Sequence, residues 1–152
     1  MRVSIIMGSI SDREIADKIV AKLMEFGIEY DAKVISAHRA LNQLQDYVKN
    51  AEDESQVFIS IAGKAAHLGG VIAALTTRPV IGVPVKSSTL DGLDALLSTV
   101  QMPSGEASVT DGKYAKGWVG DRYYFEDGKP ALVCVMSLSV WKWELRICWI
   151  QM

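Results

Sequence analysis

Four apolar strand patterns, each followed by a helical pattern, predict a three-layer α/β fold built on a doubly wound parallel sheet. A second observation is where the polar chemistry falls. The turns after the first three strands, residues 8–12, 36–39 and 63–67, hold both histidines of the chain. In an open α/β sheet such turns meet along the carboxyl edge of the strands, where ligands bind. A third observation is size: 152 residues, 49% of them apolar, suffice for one core without metal or disulfide.

Residues 2–7 form a β-branched apolar run that Gly8 ends, as expected of a strand covered on both faces. Residues 11–26 read as a helix: Ser11 and Glu14 have capping-box spacing, and Ile15, Ile19, Leu23 and Phe26 share a face. Gly27 supplies the stop. Residues 30–36 give the second strand, and Leu41, Leu44, Val48 and Ala51 mark the next amphipathic helix. Residues 56–61 are the third strand, followed by a helix of small residues over 67–76. Residues 79–85 make a fourth strand. Leu90, Leu93, Leu97 and Val100 then mark a helix ending before Pro103. This order predicts a flavodoxin-like sheet.

After Gly105 the pattern changes, so the chain divides into an α/β core over 1–105 and an atypical segment over 106–152. Residues 118–125 and 131–141 read as two strands of a hairpin turning at Gly128. The run 131–141 is too short to span a bilayer as a helix, and the N-terminus has no signal-peptide pattern. The formal charge of −2 argues against nucleic acid as a partner. Cys134 and Cys148 have neither metal nor redox spacing, which fits packed thiols in a reducing, cytoplasmic setting. Small molecules and other subunits are the expected partners.

Within the turns, Gly8-Ser9-Ile10-Ser11-Asp12 joins a strand to a helix start, where free N–H groups and two hydroxyls favour a phosphate. His38 can exchange a proton near neutral pH, and Arg39 beside it can grip an anion with two donors. His67 opens a helix. Taken singly, each has an ordinary explanation: a helix cap, a solvated charge, a structural histidine.

In order and spacing, Met7-Gly8-Ser9-x-Ser11-Asp12, Ser36-Ala37-His38-Arg39, Ala65-Ala66-His67-Leu68, Gly82-Val83-Pro84-Val85 and Gln101-Met102-Pro103-Ser104-Gly105 resemble the N5-carboxyaminoimidazole ribonucleotide mutase family of purine biosynthesis. The resemblance implies an octameric, flavodoxin-like, cytoplasmic isomerase without metal or organic cofactor, which moves a carboxylate from the exocyclic nitrogen of an imidazole ribonucleotide to ring carbon 4. His38 matches the family's general acid and base. Ser9, Ser11, Asp12, Ser36, Ala37 and Arg39 match nucleotide-binding positions, and Gly63, Ala65, His67 and Leu68 match the segment lying against the imidazole. Arg39 follows the bacterial mutase pattern, where the branch that carboxylates the aminoimidazole ribonucleotide with free CO2 has lysine. A non-catalytic nucleotide-binding module with impaired assembly is the alternative of another class. The chain departs from the family pattern at Ala40-Leu41, where Thr-Pro is common, at Lys64, where a small residue is common, and at Gly69, where Pro is common. The usual fifth strand and docking helix do not read from residue 106 onward, so a smaller or weaker assembly is expected.

Overall fold

The structure, a computed structural model of the chain, describes residues 1–88, 90–101, 107–110 and 132–135, the last two segments as backbone strands. Strands β1 (Arg2–Met7), β2 (Glu29–Val34), β3 (Val57–Gly63), β4 (Val80–Val85), β5 (Ala107–Thr110) and β6 (Leu132–Val135) form one sheet in the order β2-β1-β3-β4-β6-β5. Every neighbouring pair is parallel. Helices α1 (Arg13–Glu25), α2 (Leu41–Ala51), α3 (Leu68–Ala73) and α4 (Leu93–Val100) connect them. The expected α/β, flavodoxin-like parallel sheet is what forms.

Successive side chains of a strand point to opposite faces, and β1 shows how that builds two cores. Val3, Ile5 and Met7 pack with Ile59, Ile61 and Val83 beneath Ala16 and Leu23 of α1. Ile6 turns the other way and packs with Phe58 and Val80 beneath Leu44 and Val48 of α2 and Leu68, Ile72 and Ala73 of α3. Ile5, Ile6, Leu44, Phe58 and Ile72 are fully buried, and each contributes about 1.5–3 kcal/mol by leaving water. Ser4 is 1% exposed in this interior and is held by Ser55 Oγ at 2.7 Å. The Tyr47 hydroxyl lies 3.1 Å from Ser4 Oγ and donates to Asp31 Oδ2 at 2.9 Å, so a short polar chain fastens α2 to β1 and β2.

Three expected helix faces need correction; in α2, Leu44 and Val48 are buried as expected but Leu41, in the first turn, is exposed. Phe26 is 57% exposed, because α1 ends at Glu25 and Gly27, at φ 64, turns the chain away. Of the expected α4 face of Leu90, Leu93, Leu97 and Val100, only Val100 packs on the core, while the three leucines are exposed and the buried side is made by Ala95 and Thr99 with Leu96. The helix carries leucine on both sides, so spacing alone could not choose its buried one.

The C-terminal strands also differ from expectation. β6 falls within the extended run expected over 131–141, but its neighbours β4 and β5 are both parallel to it. The hairpin partner expected at 118–125 lies outside the described residues. β5 was not foreseen; four residues are too few for a period-two pattern to stand out.

Candidate active site

The sheet register brings the first three turns together. The Gly8 N–H donates to Ile61 O at 2.9 Å and the Ile35 N–H to Met7 O at 2.9 Å, so the carboxyl ends of β2, β1 and β3 lie side by side.

The turn after β1 is a single 3-10 turn, residues 10–12, capped by Ser9. Ser9 Oγ accepts from the Ser11 N–H at 3.3 Å and from the Ser11 hydroxyl at 3.0 Å, while the Ser9 N–H donates to Asp12 Oδ2 at 3.0 Å. The capping box is therefore Ser9 with Asp12, one turn earlier than the expected Ser11 with Glu14; Glu14 instead pairs with Lys18 at 2.9 Å. The competition is decided by position, since Ser9 still has extended backbone and can reach forward, whereas Ser11 is already helical. The N–H groups of Ser9, Ser11 and Asp12 expected to face a phosphate are thus satisfied within the turn. Asp12 is 5% exposed. Burial pushes its carboxyl above the usual range, offset in part by the Ser9 N–H and the Ser11 hydroxyl.

After β2, Ser36 O accepts from the N–H groups of Arg39, at 3.2 Å, and Ala40, at 2.8 Å. This turn leaves Ser36 and Ala37 half-buried and lifts His38 and Arg39 into the open. Among the described residues Arg39 forms no ion pair and stands free to meet an anion. Ala40, the residue before α2, offers no side-chain cap.

After β3, Gly63 sits where a Cβ would be 3.3 Å from Val85 O, so its lack of a side chain lets β3 and β4 stay paired to their ends. Lys64 follows at φ 59, a left-handed conformation costly for a residue with a side chain. Ala65 is exposed, Ala66 is buried and His67 is exposed at the start of α3. Leu68 is 3% exposed and packs in the core, so its side chain supports the loop and does not line it. Gly69 has a specific reason: a Cβ there would stand 2.9 Å from Ser60 Oγ, and the proline common in the family pattern would meet the same atom.

His38 and His67, 29 residues apart, meet across these turns. His38 Nε2 lies 3.2 Å from His67 Nδ1, with the rings edge to face and their centroids 5.4 Å apart. In this hydrogen bond one of the two nitrogens carries the proton and the other accepts it, which one depending on the tautomers of the rings. The sequence placed both residues on one sheet edge; their contact follows only from the loop geometry. Ser98 of α4 was not foreseen. Its hydroxyl accepts from the Ala66 N–H at 2.8 Å, and nothing local marks it in the sequence.

Two concavities, of about 460 Å³ at Arg2 and residues 27–30 and about 300 Å³ between α1 and β2, lie away from the histidine pair. His38 and His67 are themselves exposed. Among the described residues no three His, Cys, Asp or Glu side chains come together to hold a metal ion, and no helix is long and apolar enough to cross a membrane.

Residues 2–115 match the family described as AIR carboxylase. The N5-carboxyaminoimidazole ribonucleotide mutase of Methanocaldococcus jannaschii is 56% identical over 110 residues, covering 72% of this chain and 68% of that protein. The enzyme of the same name from Thermotoga maritima is 53% identical over 105 residues, covering 68% and 61%. Among solved structures, Treponema denticola PurE superposes with a TM-score of 0.65 at 31% identity, covering 88% of this chain and 72% of that one. The chain spans about two thirds of the length of the curated relatives it matches. With more than half of its length matched and the turns of the motifs assembled on one sheet edge, the chain belongs to the AIR carboxylase family.

Proposed function

We propose that this protein is a purine-biosynthesis isomerase that converts N5-carboxyaminoimidazole ribonucleotide to 4-carboxy-5-aminoimidazole ribonucleotide. The observation that carries this reading is the 3.2 Å contact between His38 and His67 beside the Ser9–Asp12 turn. That contact supports a proton-transfer role for the pair, with the polar turn after β1 as the proposed wall for the ribose and phosphate. The names of the relatives supply the substrate.

In this reading Arg39 anchors the phosphate with its exposed guanidinium, and Asp12 accepts from a ribose hydroxyl once the ligand replaces part of the cap. Ser9, Ser11, Ser36 and Ala37 shape the same wall, and Gly63, Ala65 and His67 face the imidazole and its carboxylate. His38, as imidazolium, gives a proton to the exocyclic nitrogen as the N–C bond breaks and CO2 leaves. Ring carbon 4 then attacks the retained CO2, and the now neutral His38 removes the proton from that carbon. Atoms balance: one N–C bond is exchanged for one C–C bond, and the imidazolium is regenerated. No metal or organic cofactor enters these steps. His67 can share the proton with His38 between the two halves of the cycle.

Retaining CO2 requires a dry enclosure, and among the described residues His38 and His67 are exposed. We therefore propose a homo-oligomer, with the exposed Leu90, Leu93 and Leu97 as an apolar surface suited to a neighbouring subunit, and a cytoplasmic setting with free ribonucleotides. Neither nucleic acid nor membrane is a partner. The test supplies purified protein with N5-carboxyaminoimidazole ribonucleotide or, separately, with aminoimidazole ribonucleotide and CO2. Product from the first substrate at low CO2 is expected. Product only from the second, or binding without turnover, overturns the mutase reading.

A further inference from the structure

We infer that Ser98 is a positioning residue for the histidine pair, acting from α4 through the loop after β3; the inference rests on the proposed catalytic role of that pair. The Ala66 N–H is buried and donates to Ser98 Oγ at 2.8 Å, and the same oxygen lies 3.2 Å from Lys64 O. One hydroxyl thus holds both sides of Ala65, across the left-handed Lys64, in the loop that ends at His67. Its single proton has three acceptors in reach: Lys64 O, Asp94 O at 2.8 Å and Ala95 O at 3.2 Å. The oxygen remains a fixed acceptor for Ala66 whichever of these it serves.

Within the loop itself the His67 N–H donates to Ala65 O at 2.9 Å, a local bond that shapes the turn but ties it to no other element. Without the Ser98 hydroxyl, the buried Ala66 N–H has no partner and the loop relaxes from the left-handed Lys64 conformation. His67 Nδ1 then loses its fixed distance from His38 Nε2. The hydrogen bonds of Ser98 go to backbone groups and not to either histidine, so its role is positional.

The experiment compares wild type, Ser98→Ala and Ser98→Thr by carboxylate transfer and by imidazole 15N spectra at one fixed pH. Only two histidines contribute signals. For Ser98→Ala, kcat should fall about 10- to 100-fold while KM stays within about threefold, the signature of a displaced group rather than lost binding. Its 15N signals should move from those of a hydrogen-bonded pair to those of independent rings. Ser98→Thr keeps the hydroxyl and should restore both readouts to within about threefold of wild type. A paired 15N spectrum retained in Ser98→Ala would overturn the inference, as would a Ser98→Thr variant that loses the pair just as fully. If Ser98→Ala does not fold, the threonine variant and Ser98→Gly decide it on the same criteria. A wild type that shows the paired spectrum but no carboxylate transfer refutes the catalytic reading alone, since the spectra still judge Ser98.

Discussion

Replacing Gly69 by Ala tests whether the close approach of α3 to β3 is a packing constraint or an accident of composition. Alanine in place of glycine ordinarily favours a helix by up to about 1 kcal/mol. Against this, the new Cβ would lie 2.9 Å from Ser60 Oγ, closer than real contacts allow, and Ser60 is only 3% exposed. The hydroxyl has a long bond, 3.4 Å, to Ile81 O, so it can rotate away only by giving that up and leaving a buried polar group poorly satisfied. That costs about 1–3 kcal/mol, and shifting the helix instead would strain a packed core by a similar amount. The expected net effect of Gly69→Ala is a loss of about 1–2 kcal/mol. Ser60→Ala removes the obstructing oxygen, so the double variant should return to within about 0.5 kcal/mol of wild type or exceed it, a coupling of roughly 1–2 kcal/mol. Urea titrations followed by far-UV circular dichroism, with unchanged m-values, measure all four proteins. A Gly69→Ala variant as stable as wild type, or a double variant whose change is the sum of the singles, would refute the reasoning.

Four further outcomes are expected. His38→Asn should lower turnover by about 10²–10⁴ with product-nucleotide affinity within about tenfold, as turnover and binding assays will show; near-normal turnover would remove its proton-transfer role. Arg39→Ala should weaken nucleotide binding by roughly 1.5–3 kcal/mol, measured by calorimetry, and affect a ligand lacking the phosphate much less. Ala40→Ser gives α2 the N-cap it lacks and should stabilise the protein by about 0.5–1 kcal/mol in the same urea assay. Burial, outweighing the Ser4 contact, pushes the Tyr47 hydroxyl up to about 12 from an ordinary value of 10. Below pH 10 its contribution to stability is complete; above that the unfolded chain loses this proton first, and the contribution is lost as pH rises through about 12. Tyr47→Phe should flatten that alkaline decline, and an identical decline in both proteins would contradict the assignment.

Much of the fold was legible because its signals are local. The apolar runs of β1 and β4, the glycine after α1 and the period of α2 are each read within a dozen residues, and the alternation of strand and helix then restricts the sheet to parallel crossovers. The three polar turns were legible for the same reason: a strand end fixes the edge on which its turn must lie. The motifs at these turns carry the resemblance to the family by their order and spacing alone.

What the tertiary structure alone decided depends on partners far apart in the chain. Ser9 or Ser11 could each cap a helix, and the backbone conformation at Ser9 chose between them. Leucines on both sides of α4 left its buried face undetermined until the sheet packed beneath it. β6 reads as a strand, but its place between β4 and β5 is a matter of pairing across the sheet, which no local pattern encodes. The histidine contact spans 29 residues and the Ser98 contact to Ala66 spans 32. Hydrogen bonds of that range exist only after the hydrophobic faces have fixed where each element lies. The residue types for the chemistry are therefore written in the sequence, while their distances are a product of packing.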